Sequence, residues 1–226
     1  MPTEAISLGL FMVSRSAIVA AAIGALAISG GAAPGAASAA TITFETAPYG
    51  DGFTGPVTEA GFTYKTLSGS LFVNGFGNPG QDMEGEYTGG GGILDIQEAG
   101  GGDFTFDQLD YAAYSTDGAG SQTLYVHGYE NGSLVASDSF TLSNTSNDTD
   151  DTYANWTTEA ADLLAGKRID DLQIALSAQV GGDYPLEAID NVVLTPVPEP
   201  AAWALMLAGF LGLGAALRVR RSRAVA

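Results

Sequence analysis

The stretch QTLYVHGYENGSLVASDSFTL, residues 122–142, constrains the fold of this chain more than any other. Asn131-Gly132 stands at its centre. That pair suits a two-residue type I′ turn, in which both central residues take positive φ. Apolar and polar residues alternate on either side, the period of a half-buried strand. The spacing therefore predicts a β-hairpin. Counting outward from the turn, Tyr129 opposes Leu134, His127 opposes Ala136 and Tyr125 opposes Asp138. Tyr125, His127 and Tyr129 share one face, while Leu124, Val126, Gly128 and Val135 share the other.

The surrounding residues repeat this grammar. Short runs of β-branched and aromatic residues lie between Gly, Asn and Asp clusters, and Gly alone accounts for 31 residues. Strands are expected near Thr41–Glu45, Phe62–Thr66, Ser70–Asn74, Gly92–Gln97, Phe104–Phe106 and Gln108–Ser115. Further strands are expected near Thr123–Glu130, Ser133–Leu142, Asp170–Ser177 and Leu186–Thr195. Thr158–Gly166 reads as helical, with threonine at its start, Glu159 in its first turn and Gly166 as a stop, or as a loop with one helical turn. Many short strands and almost no helix predict an all-β chain, an antiparallel β-sandwich of the jelly-roll kind over 41–195. The glycine tracts at 89–92 and 100–102 are connectors, since neither is followed by the Lys-Ser/Thr of a phosphate loop.

Charge is distributed unevenly. The formal net charge is −18, yet residues 41–195 hold 24 Asp and Glu against Lys65, Lys167 and Arg168. Such a surface repels phosphate backbones, which excludes nucleic acid as a partner. There is no cysteine, so the fold stands on its core, or on its core and a bound metal, without disulfides.

The two ends read as addresses. Arg15, the apolar run Ala17–Ile28, the breakers Gly30, Gly31 and Pro34, and the small residues Ala37-Ser38-Ala39 form an export signal over 1–40. Translation is expected to begin at Met12. At the other end, Ala201–Leu217 is an apolar run long enough for a short membrane helix. Arg218, Arg220, Arg221 and Arg223 follow it in the basic tail 218–226, and the positive-inside bias holds them in the cytoplasm. The acidic body then lies on the far side of the membrane. Pro198-Glu199-Pro200 precedes the helix and is held extended by its prolines.

The order of Pro-Glu-Pro, apolar helix and basic tail over 196–226 resembles the PEP-CTERM sorting segment, also described as the C-terminal domain of ice-binding proteins. The resemblance implies export across the inner membrane of a Gram-negative bacterium and processing near Pro198, Glu199 and Pro200 by an exosortase. It also implies a membrane-anchored precursor delivered to the cell surface or extracellular polysaccharide. TITFET and LEAIDNVVLTPVPEP look like the first and last strands of bacterial jelly-roll carbohydrate-binding modules. That resemblance implies a structural calcium between those strands, on Glu45 and Asp190.

Candidate chemistry is sparse. His127 is the one histidine, and no Gly-x-Ser-x-Gly elbow surrounds a serine that it could activate. No carboxylate pair stands out as a hydrolase couple. An enzyme is not expected. Tyr125, His127, Tyr129 and Trp156 are the candidates for stacking on a sugar ring. A second acidic candidate for calcium is the run at Asn147, Asp148, Asp150 and Asp151, which lacks the Gly and final Glu of an EF-hand. The expected role is an exported, non-enzymatic surface or matrix protein associated with polysaccharide. The alternatives are a calcium-dependent carbohydrate-binding module and, more distantly, a secreted carboxylate hydrolase.

Overall fold

The structure, a computed structural model, describes residues 38–85, 90–114, 120–143, 155–160, 162–177, 186–198 and 206–213. They belong to the compact unit Pro34–Ala226. The strands are β1 (Ala40–Ile42), β2 (Gly50–Phe53), β3 (Val57–Glu59), β4 (Phe62–Gly69), β5 (Leu71–Gly77), β6 (Gly80–Gly85) and β7 (Gly91–Glu98). They continue as β8 (Phe104–Tyr114), β9 (Ser121–Glu130), β10 (Ser133–Ser143), β11 (Thr157–Ala160), β12 (Asp171–Ser177) and β13 (Leu186–Pro196). The first sheet runs β11-β8-β13-β6-β5-β2, with β1 also on β13; the second runs β10-β9-β12-β7-β4-β3.

The pairing of the last eight strands is nested. β6 pairs with β13, β7 with β12, β8 with β11 and β9 with β10, all antiparallel. A long hairpin rolled into two sheets gives this order, which is the jelly roll. β2 and β5 widen the first sheet, and β3 and β4 widen the second.

Alternation explains how the layers close. Leu124 and Val126 of β9, Leu172 and Ile174 of β12, and Leu94 and Ile96 of β7 point inward and are buried. They meet Phe104, Phe106, Ile189 and Leu194 from the first sheet in one cluster. Phe62 and Phe104 pack edge-to-face across the sandwich, with ring centroids 5.2 Å apart. Burying each such ring contributes about 2 kcal/mol from area alone.

β13 breaks its alternation once. Asn191 takes φ 47 at a register shift between Asp190 and Val193. The extra residue keeps Asp190 on the outer face while Val192 and Leu194 turn into the core. At this bulge β13 exchanges one neighbour for another: Ala188 and Ile189 pair with β6, whereas Val192 to Leu194 pair with β1.

Several expectations are corrected. Thr157–Ala160 forms strand β11 and residues 162–166 form a turn, so 158–166 is not a helix. The free edge of β8 offers hydrogen-bond partners from Gln108 to Tyr111, and two threonines favour the extended form. Gly166 does stop the segment, with φ +66. Phe104–Phe106 and Gln108–Ser115 merge into the single strand β8. The hairpin turn has positive φ at Asn131 and Gly132, as its sequence demands, and Tyr129 opposes Leu134. Beyond that pair the register slips by one, so His127 faces Ser137 and Tyr125 faces Ser139. The cause is a bulge at Val135, which leaves that residue exposed rather than on the Leu124 face.

The export signal falls almost wholly outside the described residues, as do Glu199, Pro200, the four tail arginines and the acidic run at 147–151. Within 201–217, residues 206–213 are helical, and Leu207, Phe210, Leu211 and Leu213 on them are exposed. Among the described residues no helix is long and apolar enough to cross a membrane.

Gly69 shows how tightly the β4–β5 connection is drawn. Its φ is +73, and a Cβ there would collide with the backbone of Gly91 and Gly92. Gly69→Ala is expected to cost about 2 kcal/mol or more, measured as a shift in the midpoint of chemical unfolding.

Candidate ligand-binding face

Tyr125, His127 and Tyr129 project from the outer face of the second sheet, because their neighbours Leu124, Val126 and Gly128 are buried beneath. Tyr125 is 51% exposed. His127 and Tyr129 are half-buried. Gly128 makes this backing firm: a Cβ at that position would lie 2.7 Å from Leu164 and 2.8 Å from Ile169, so the glycine lets both pack directly under the strand.

The pairing of strands completes the face with residues the sequence did not single out. Across β12, Tyr125 faces Ala175, His127 faces Gln173 and Tyr129 faces Asp171. One strand further, Gln173 faces Asp95, and Asp95 faces Lys65. Ser137 on the other side lies 2.8 Å from Nδ1 of His127, which fixes the imidazole ring. Gln173 Nε2 donates to Asp171 Oδ2 at 3.0 Å. Lys65 Nζ lies 3.4 Å from the nearly buried Asp95. Burial, then the hydrogen bond shared with Asp95, pushes the Asp171 carboxyl up to about 7. Asp171 Oδ1 is buried without a hydrogen-bond partner. Asp171, Gln173, Asp95 and Lys65 each adjoin a buried apolar or aromatic neighbour in their own strand, so polarity could have flagged these four. Only the register shows that they adjoin.

Trp156 is not part of this face. It lies just before β11, in the first sheet, and packs with Phe76 and Leu186 against Ala112 and Ala188. The structure thus brings together three of the four aromatic candidates and places the fourth elsewhere.

Glu45 and Asp190 meet the same turn from its two ends. Asp190 is fully buried and accepts N–H bonds from Asn78 at 2.7 Å and Asn191 at 2.6 Å. Glu45 Oε1 accepts from the Gln81 N–H at 2.8 Å, and a side chain at Gly80 would occupy its place. Asn191 Nδ2 donates to the Asn78 carbonyl at 2.6 Å and to Asp110 at 2.9 Å. Both carboxylates thereby anchor the β5–β6 turn through its N–H groups. Among the described residues no three Asp, Glu or His side chains are grouped to hold a metal ion.

Beside this turn the outer face of the first sheet is acidic. Asp82 is fully buried, and burial followed by the nearby Glu84 pushes its carboxyl up to about 9. The Phe76 N–H donates to its Oδ1 at 3.2 Å. Burial raises Asp190 to about 7; Asp82 and Asp110 add to the rise, and its two N–H bonds oppose it.

Comparison with protein families finds no match, and comparison with curated proteins finds none. Solved structures with a similar arrangement include a DUF4465 family protein from Bacteroides caccae, with 10% identity over 71% of this chain and 100% of that one, at a TM-score of 0.40. The CBM22-2 xylan-binding domain from Paenibacillus barcinonensis is 14% identical over 71% of this chain and 99% of its own, at 0.37. A mutant of the carbohydrate-binding module CBM29-2 is 12% identical over 71% of this chain and 92% of its own, at 0.36. Likeness at this level leaves the ligand to be read from the site itself.

The raised carboxyls set the pH dependence of stability. Asp82 and Asp190 hold protons in the folded chain at pH values where the unfolded chain has released them. Their contribution is complete below the unfolded carboxylate range and is lost as pH rises through about 7 and about 9. The melting temperature is expected to fall from about pH 5 to about pH 9. Asp82→Asn, which keeps the acceptor for Phe76 and cannot ionise, should flatten that fall; a melt that rises over the same range would contradict it.

Proposed function

We propose that the protein binds polysaccharide through the outer face of the second sheet, as an exported, non-enzymatic component of the cell surface or extracellular matrix. The exposed ring of Tyr125, aligned on one strand face with His127 and Tyr129, carries this reading. A flat aromatic face packs against the C–H face of a pyranose, and adjacent amides and carboxylates receive its hydroxyls. Gln173 and Asp171 stand in register beside the stripe to do so. The backing by Leu164 and Ile169 holds the platform rigid, which limits the ordering cost of binding.

Delivery rests on the two ends of the chain. The 1–40 segment serves the export machinery, and the segment from Pro198 onward is the substrate of an exosortase. The exposed apolar helix at 206–213 supports the anchoring part of this reading. His127 is held by Ser137 in the middle of the platform, where it acts as a contact residue.

Calcium at Glu45 and Asp190 is a second proposal, supported by their convergence on one turn. The ion would replace N–H donors now held by these carboxylates, and its binding would tie the segment after β1 to β13 through the Gly77–Gln81 turn. Millimolar calcium is then expected to raise the melting temperature above that in chelator; identical melts remove the proposal.

Tyr125→Ala is expected to weaken retention on the bound glycan by about tenfold while leaving the melting temperature unchanged, since the ring is half exposed. Affinity electrophoresis or a glycan array with the full chain measures it. A blank array over bacterial polysaccharides overturns the reading.

A further inference from the structure

We infer that Asn131 is a site of spontaneous covalent modification, where its side-chain amide is converted into an acid through a cyclic imide with Gly132. This is independent of glycan binding. The sequence holds two Asn-Gly pairs, Asn74-Gly75 and Asn131-Gly132. After every other asparagine stands a residue whose side chain or proline ring hinders attack by its nitrogen. The two pairs share the same local chemistry, so the tertiary structure decides between them.

Asn131 and Gly132 are exposed at the tip of the β9–β10 hairpin, with φ 51 and 73. The last pair of the ladder is Glu130 with Ser133, so both turn residues lie beyond it. The Asn131 side-chain amide has no hydrogen-bond partner among the described residues; its backbone N–H donates to Asp170 Oδ2 at 2.8 Å. A Cβ at Gly132 would meet nothing within 4 Å, so the space around that residue is open. Asn74 is held instead. It is buried on β5, its Nδ2 donates to Glu84 Oε1 at 2.9 Å, and its Oδ1 accepts from the Gly75 N–H at 2.8 Å. That last bond occupies the N–H whose nitrogen would have to attack.

The reaction needs only solvent. Hydroxide removes the Gly132 amide proton, and the nitrogen attacks Asn131 Cγ. The N–Cγ bond forms, the Cγ–Nδ2 bond breaks, and Nδ2 takes a proton from water and leaves as ammonia, which returns the hydroxide. Water then opens the imide. Breaking the bond from nitrogen to Cγ leaves an ordinary aspartate; breaking the bond from nitrogen to the backbone carbonyl carbon leaves isoaspartate, whose main chain passes through Cβ and Cγ. Either product adds a carboxylate in a turn whose N–H is bound by the Asp170 carboxylate, and isoaspartate also lengthens the two-residue turn. Like charge and a longer connection both loosen the end of β9 that carries Tyr129.

Incubation of the full chain in mildly alkaline buffer, followed by digestion with pepsin at acid pH and mass spectrometry, tests this. The peptide with Asn131 is expected to gain the mass of an NH2-to-OH exchange at least about tenfold faster than the peptide with Asn74, because the second site must first open locally. Labelling by a protein isoaspartyl methyltransferase identifies isoaspartate and ignores ordinary aspartate. Asn131→Gly keeps a pair suited to the turn and has no amide to lose, so it should abolish both signals at this position. A synthetic peptide covering 125–137 sets the time scale of the unfolded sequence. Equal rates at Asn74 and Asn131 overturn the inference, as does an Asn131 that stays intact in the folded chain after the synthetic peptide has converted fully. The modified chain is expected to melt below the fresh one; an unchanged melt overturns the loosening of the turn.

Discussion

The buried carboxylate of Glu187 ties the two sheets together. It lies on β13 in the first sheet and accepts from the N–H and hydroxyl of Ser177 on β12 in the second, at 2.6 and 2.7 Å. Tyr111 of β8 donates a third bond at 2.8 Å. Burial pushes this carboxyl up, while its three donors favour the ionised form. A group so placed is tolerable only when every donor is in position. It thereby favours one alignment of β12 against β13, and Asp171 and Gln173 face the tyrosine stripe of β9 from β12.

β13 is the other hinge of the design. It must pair with β6 along one half and with β1 along the other, and the bulge at Asn191 reconciles the two. That same bulge holds Asp190 outward, where it catches the Asn78 N–H and fixes the β5–β6 turn. The IDNVVL run is thus legible physically: two polar residues at a bulge, then a return to alternation. The segment after β1 is secured similarly. Glu59 accepts from the Thr43 N–H and hydroxyl, and from Thr46 and Tyr64, so the chain before β2 is pinned without regular structure.

The two outer faces use acids differently. On the first sheet, Asp82, Glu84 and Asp190 are enclosed, and they serve the turn and the sheet. On the second, Asp171 is half-buried beside the half-buried ring of Tyr129. Composition counts both sets equally as negative charge. Burial separates these carboxyls from the exposed ones, because a carboxyl shut away from water tends to keep its proton: it raises Asp82 and Asp190 on the first sheet and Asp171 on the second.

The sequence alone determined the class of fold, the Asn131-Gly132 turn and the outward stripe of Tyr125, His127 and Tyr129. Each depends on residues close in the chain: turn chemistry on two neighbours, the stripe on a period of two. It also determined the reading of the two ends, which rests on apolar runs and flanking charge. Tertiary structure decided the rest. The slip at Val135 replaced Ala136 and Asp138 with Ser137 and Ser139 as partners. The free edge of β8 turned an apparent helix start into β11. Trp156 went to the first sheet, and Asp95, Lys65, Asp171 and Gln173 came to the tyrosine stripe from three different strands. Periodicity fixes which way a side chain points. Which strand lies beside it is set by long-range pairing and burial, and a local pattern does not encode that.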